Sequence, residues 1–242
     1  MKKRVVITAM EVVSSLGTGV DLFWQNLLAG RSGIAKIAGY DASSYPTQIG
    51  GEIKDFNLDE YPHLNKPKRY SKATQFAMYC AKKAIEKSGL SQSELIKAGT
   101  FIGTGLGGTP QSEEAYKYFF NEQWRKIPAL TITRGMPNSV ANMIAIDSGL
   151  QGKNLTISNA CNSSAEAIGT AFEQIQWGKM PIAICGGSES MIWESFMAAW
   201  CKLRVMSKQN EAPGTACRPF DKNRDGMVMA DGAGILVLED YD

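Results

Sequence analysis

The stretch Ala160-Cys161-Asn162-Ser163-Ser164 is where this sequence has the residue types for covalent chemistry. A short apolar strand candidate, Asn154 to Ile157, runs into it, and a helical pattern with apolar Ile168, Ala171, Phe172 and Ile175 runs out of it. Cys161 therefore falls where a strand turns into a helix N-terminus. Unpaired N–H groups and the helix dipole there favour a thiolate and can receive an oxyanion. Ser163 and Ser164 let the backbone turn without crowding the sulfur. Cysteine is also a common core filler, which is the plainer reading of Cys185 and of Cys80 on an apolar helix face.

The surrounding elements alternate. Val5 to Ala9 reads as a buried strand. Asp21 is placed to cap a helix through Trp24 and Leu28 that ends at Gly30. A strand is expected near 49–53. Ser71 caps an amphipathic helix with apolar Ala73, Phe76, Ala77, Cys80, Ala81, Ala84 and Ile85, ending at Gly89. Strands follow at Thr100 to Gly103 and Ile182 to Cys185, and the last at Ala233 to Leu238. Helices are expected over 138–146, with Pro137 in the first turn, and over 198–205. Strands alternating with helices define an α/β fold with a mixed, largely parallel sheet. No linker or repeat marks a boundary within residues 1–242.

Composition narrows the class. With 242 residues, 44% of them hydrophobic, the chain can bury a substantial core. A net charge of +2 gives no reason to expect nucleic acid or a membrane as partner. Five cysteines without paired spacing fit a reduced, cytoplasmic protein. The start Met1-Lys2-Lys3-Arg4 imitates a signal peptide, but Glu11 interrupts its apolar run too early. His63, the single histidine, sits in the turn-like Tyr61 to Asn65 and reads as a solvated loop residue.

Two motifs are decoys. Gly103, Gly105 and Gly108 follow a strand with dinucleotide-binding spacing, but no acidic ribose ligand follows at the required place. Asp221 to Gly226 imitates the start of a calcium loop, yet its twelfth position is Gly232 rather than Glu. Its alternating charges are expected to pair among themselves. No other cluster has metal-ligand spacing. Lys66, Lys68, Arg69 and Lys72, with Lys202 and Arg204, form a basic set that reads either as a solvated face or as a dock for an acidic partner.

Taken together, Asn159 to Ser164, Gly186-Gly187-Ser188-Glu189, and Arg218-Pro219-Phe220-Asp221 through Arg224-Asp225-Gly226 to Gly232-Ala233-Gly234 resemble the β-ketoacyl-acyl-carrier-protein synthases of the elongating type. Arg4 to Thr8, Leu16-Gly17 and Gly30 to Gly33 resemble that family too, in order and at family spacing. The resemblance implies a thiolase-like fold, with residues 1–242 as one half of a five-layered αβαβα architecture. It also implies an acyltransferase reaction without cofactor. Cys161 would take an acyl group from acyl carrier protein, and decarboxylation of malonyl-carrier protein would drive condensation, in fatty-acid or polyketide chain elongation. By the same resemblance Leu106, Gly135 and Trp200 would line the acyl pocket. Lys66, Arg69 and Arg204 would receive the carrier, and the protein would pair as a homodimer or with a ketosynthase subunit. The family's two histidines and lysine belong to a C-terminal half outside this sequence.

Departures from the family pattern are Asn162, Ala230 and Arg134-Gly135-Met136, the last standing where aromatic gate residues are common. Gly135 would open that gate and implies an unusual acyl or polyene substrate. Two other readings fit the resemblance less well. One is a non-catalytic, chain-length-factor-like partner subunit, which would ordinarily lack the cysteine. The other is a thiolase-like relative that transfers acyl groups to coenzyme A.

Overall fold

A computed structural model describes residues 2–54 and 56–241. Met1 and Asp242, the ends of the expected half-domain, lie outside the described residues. In chain order the elements are β1 (Val5–Ser14), β2 (Gly17–Thr18), α1 (Val20–Leu28), β3 (Ala35–Lys36), β4 (Ile49–Gly50), α2 (Lys72–Ser88), α3 (Gln92–Leu95), β5 (Gly99–Gly103), α4 (Glu113–Phe120), α5 (Thr131–Gly135), α6 (Ser139–Ser148), β6 (Asn154–Ile157), α7 (Ser163–Gln176), β7 (Ile182–Glu189), α8 (Glu194–Lys202) and β8 (Gly232–Asp240). The chain divides into two compact units.

The first unit comprises residues 1–12, 57–189 and 233–242. Its strands lie in the order β1-β8-β7-β5-β6. β5 pairs in parallel with both neighbours, Phe101 opposite Leu155 on β6 and opposite Cys185 on β7. Strand alternation then sorts the side chains. Phe101, Ala183 and Cys185 pack with Ala167, Ala171 and Ile175 of α7 in one buried cluster, so the intervening residues point to the opposite face. There the Ser188 hydroxyl donates to the Ala73 carbonyl of α2 at 2.7 Å. The sheet of this unit is thus sandwiched, with α7 on one face and α2 on the other, α2 packing in turn on α6.

α2 forms because its start, middle and end agree. The Ser71 hydroxyl accepts the Thr74 N–H, the seven apolar positions read from the sequence are all buried, and Gly89 closes the helix at φ 72°. β1 runs beyond Ala9 to Ser14 because Glu11, which breaks the apolar run, is buried inside the strand with Lys87 at 2.8 Å from its carboxylate.

The second unit comprises residues 13–56 and 190–232. Within it the end of β1 pairs antiparallel with β2, and β3 with β4. The six-stranded sheet holds both the antiparallel β1–β2 ladder and the parallel ladders of β5 and is mixed. The unit is held largely by side chains gripping backbone. Asp231 accepts the N–H groups of Met191 and Ile192, and Thr47 donates to the Ser207 carbonyl at 2.8 Å.

Several boundaries depart from the sequence expectations. Gly19, not Asp21, holds the N-cap position of α1, and Asp21 sits in the first turn, where its charge opposes the helix dipole's positive end. Pro137 precedes the N-cap Asn138 rather than entering α6. The strand expected over 49–53 is only Ile49–Gly50, continued by a bridge from Gly51 to Ala230. The helix expected over 198–205 is α8, which starts four residues earlier and ends at Lys202.

Candidate active site

The turn between β6 and α7 carries Cys161. Ala160 adopts a left-handed φ of 48°, which reverses the chain within one residue. Ser163 locks this reversal: its hydroxyl accepts the Asn159 N–H at 2.8 Å and donates to the Ala160 carbonyl at 2.7 Å. The Asn162 N–H closes the same turn on the Asn159 carbonyl at 3.1 Å. Asn162 is the N-cap of α7 and makes no side-chain capping bond. Cys161 is left as a free, exposed thiol immediately before a helix of 14 residues. Cys185, by contrast, is buried on β7, and burial pushes its thiol up to about 12.

Glycines plant the start of α7 on the sheet. A side chain on Gly103 would collide with the Ser163 backbone, and one on Gly187 with the Ser164 hydroxyl. The ends of β5 and β7 can therefore lie directly under the cysteine turn only because both positions lack a Cβ.

The glycine loop after β5 is pinned by Glu189. Its carboxylate accepts the Gly105 N–H at 2.6 Å and the Leu106 N–H at 3.3 Å, with the Thr104 hydroxyl at 3.3 Å. The N–H groups of this glycine loop are thus engaged by a carboxylate of the chain itself. Burial raises the Glu189 carboxyl above its ordinary range despite these donors. The loop is tied at both ends. The Ser158 hydroxyl donates to the Gly105 carbonyl at 3.3 Å, and the Thr109 hydroxyl donates to the Gly135 carbonyl at 3.1 Å. The cysteine turn, the Leu106 loop and Gly135 are consequently one connected neighbourhood.

The other candidate residues fall elsewhere. Lys66 and Arg69 are exposed on the segment before α2, Arg69 lying over the Tyr70 ring at 5.4 Å. Trp200 is half-buried on α8 and Arg204 is exposed at φ 62° just beyond it, both in the second unit. His63 is not merely solvated: its Nε2 lies 3.1 Å from the Asp147 carboxylate. In the calcium-like loop, Asp225 binds the Ser207 hydroxyl and the Lys208 N–H rather than its charged neighbours. The Lys208 bond holds its carboxyl below the usual range. The expected pairing among the loop charges is thus replaced by grip on segment 207–208. Among the described residues no His, Cys, Asp and Glu cluster could hold a metal ion, and no helix is long and apolar enough to cross a membrane.

Glu189 and Arg134 are structural keys to this region that the sequence reading left without a role, and Ser163, read only as a small turn residue, is the lock of that turn. The signal available was slight: an acid closing the strand-borne motif Gly186 to Glu189, and a lone arginine beside Gly135.

A thiol at a strand-to-helix turn, braced by glycines from two parallel strands of an α/β/α sandwich, defines a thiolase-like condensing-enzyme scaffold. Residues 2–242 match the family model "Beta-ketoacyl synthase, N-terminal domain", and the chain belongs to that family. It is 36% identical over 245 residues to 3-oxoacyl-acyl-carrier-protein synthase I, chloroplastic, of Hordeum vulgare, over 98% of this chain and 53% of that protein. Its fold matches a β-ketoacyl synthase from Burkholderia phymatum STM815 with a TM-score of 0.87 at 28% identity, covering 100% of this chain and 60% of that one. It also matches a chain of a type II PKS acyl-carrier protein in complex with its ketosynthase bound to the hexaketide, with a TM-score of 0.84 at 27% identity, covering 100% and 59%. The chain thus spans about half the length of the curated relative.

Proposed function

We propose that residues 1–242 form the N-terminal half of a β-ketoacyl-acyl-carrier-protein synthase, an acyltransferase that works with a C-terminal half outside this sequence. The observation that carries the reading is the exposed Cys161 thiol on the Ser163-locked turn before α7. The Cys161 thiolate attacks the carbonyl of an acyl-carrier thioester, a new thioester forms, and the carrier thiolate leaves. Malonyl-carrier protein then releases carbon dioxide, its carbanion attacks the Cys161 thioester, and the cysteine thiolate departs. In this reading the Cys161 N–H helps receive the oxyanion at each stage. Imidazoles that support decarboxylation come from residues outside this sequence.

In this reading Leu106 and Gly135 of the first unit line the acyl chain, and the pocket role of Trp200, in the second unit, rests on family resemblance alone. In this reading Lys66 and Arg69 of the first unit receive the acidic acyl carrier protein, whose approach their charge accelerates, and the same role for Arg204, in the second unit, rests on family resemblance alone. The working protein is a dimer with an identical or related ketosynthase subunit in the cytoplasm. A chain-length-factor-like role is disfavoured because it has no use for an exposed thiol held on so constrained a turn.

The test is intact mass after mixing the protein with acyl-loaded carrier protein. An acyl increment that disappears in Cys161→Ala supports the reading. No increment in a folded protein supplied with its complementing half would overturn it.

A further inference from the structure

Arg134 is a buried cation, its side chain 3% exposed, beside the proposed pocket-wall residue Gly135. Its guanidinium spreads over two partners: Nη1 donates to the Pro67 carbonyl at 2.8 Å and Nη2 to the Glu114 carboxylate at 3.0 Å. Pro67 lies between Lys66 and Arg69, the proposed carrier-receiving residues. Gln111 reinforces the link, its amide oxygen accepting the Lys72 N–H at 3.1 Å and its amide nitrogen 3.5 Å from the same Pro67 carbonyl.

The backbone of Arg134 is equally engaged. A side chain on Gly108 would collide with the Arg134 carbonyl oxygen, so the Leu106 loop lies flush against it. The Ser139 hydroxyl donates to that same carbonyl at 3.4 Å. One arginine therefore joins the basic segment, the Leu106 loop and the Gly135 wall, all within the first unit. A buried charge tolerates little displacement, because losing Glu114 leaves the charge unpaired and losing the Pro67 carbonyl leaves a buried N–H unsatisfied. The planar fork fixes both partners at once, which a single ammonium cannot do.

We infer that Arg134 is a positioning residue that ties segment 66–69 to the Gly135 wall, so that carrier docking and acyl-chain selection depend on each other. The inference rests on the function proposed above. It assigns the Arg134-Gly135-Met136 departure a purpose: rigidity from a buried ion pair in place of aromatic bulk.

The test uses the natural polypeptide that carries this sequence. Cys161 acylation is followed by intact mass against concentration, with acyl groups of several lengths on carrier protein and, in parallel, on pantetheine. Arg134→Lys keeps the charge but not the fork. It is expected to raise KM for the carrier-borne donor about tenfold while the maximal rate falls less than about threefold. KM for the pantetheine donor is expected to change less, and the preference among acyl lengths to flatten with both donors. Should Arg134→Lys not fold, Glu114→Gln, whose native carboxylate is half-exposed, carries the same test in the same direction. A folded variant with an unchanged ratio of the two KM values and unchanged length preference overturns this inference alone. Wild type that takes no acyl group from either donor overturns the functional reading and the inference with it.

Discussion

The Glu189 carboxylate accepts the Gly105 N–H at 2.6 Å, and through that bond the last residue of β7 sets the position of the loop that follows β5. The two strands are already parallel neighbours, so the bond extends their registration past the strand ends.

This bond has a pH signature. Burial holds the Glu189 carboxyl above its ordinary value of 4.5. The folded state therefore keeps the proton to higher pH than the unfolded chain does. The resulting stabilisation is present at acid pH and is lost as pH rises through the folded value. Glu189→Gln cannot titrate. The difference in melting temperature, variant minus wild type, is expected to rise between pH 4.5 and neutrality, the window opening at the ordinary value. A difference that stays flat or falls would show that the carboxyl is not raised.

Cysteine reactivity should separate along burial. Cys161 and Cys217 are exposed, whereas Cys80 and Cys185 are buried. With its thiol pushed up to about 12, Cys185 has almost no thiolate at neutral pH. Iodoacetamide under native conditions, followed by peptide mapping, is expected to modify Cys161 and Cys217 and to spare Cys80 and Cys185 until denaturant is added. Early labelling of Cys185 would contradict the packing of α7 on β7.

Much of this arrangement is legible in the residues. β6 spans Asn154–Ile157 as read, because a short apolar run bounded by turn residues has few other uses. α2 announces itself through Ser71, its apolar period and Gly89. The segment carrying α4 and α5 was not legible, since Tyr116, Phe119 and Phe120 are exposed and no buried stripe gives a helical period. β1 was read too short because an apolar run cannot reveal that Glu11 finds Lys87 across a long sequence separation. The roles of Glu189 and Arg134 were hidden for the same reason. Each acts on backbone groups that come near only in the folded chain.

Close backbone approach makes the glycines of this region sensitive to a single methyl. A Cβ at Gly108 meets the Arg134 carbonyl, and one at Gly103 meets the Ser163 backbone. Neither neighbour is a flexible side-chain tip, so the backbone itself has to move. Gly108→Ala and Gly103→Ala are each expected to cost about 1–3 kcal/mol, a fall in melting temperature of roughly 3–10 °C for a chain of this size. Gly103→Ala should also slow acyl transfer to Cys161 more than Gly108→Ala does, since it lifts the start of α7. Equal acyl-transfer rates in the two variants would argue against that division.

Ser163 offers the sharpest separation of turn geometry from nucleophile identity. Its buried hydroxyl bonds both Asn159 and Ala160, and Ala160 is held at φ 48°, where a non-glycine residue rests only under constraint. Ser163→Ala removes both bonds and leaves Cys161 in place. Losing them is expected to cost about 1–3 kcal/mol. With the constraint gone, Ala160 relaxes toward negative φ and the sulfur swings away from the helix end. Acyl transfer from carrier protein should then slow by about tenfold or more, as the loss of one well-placed interaction does. Alkylation of the exposed thiol by iodoacetamide, which needs no aligned helix end, should slow far less. Equal slowing of the two reactions would mean that Ser163 supports only the fold.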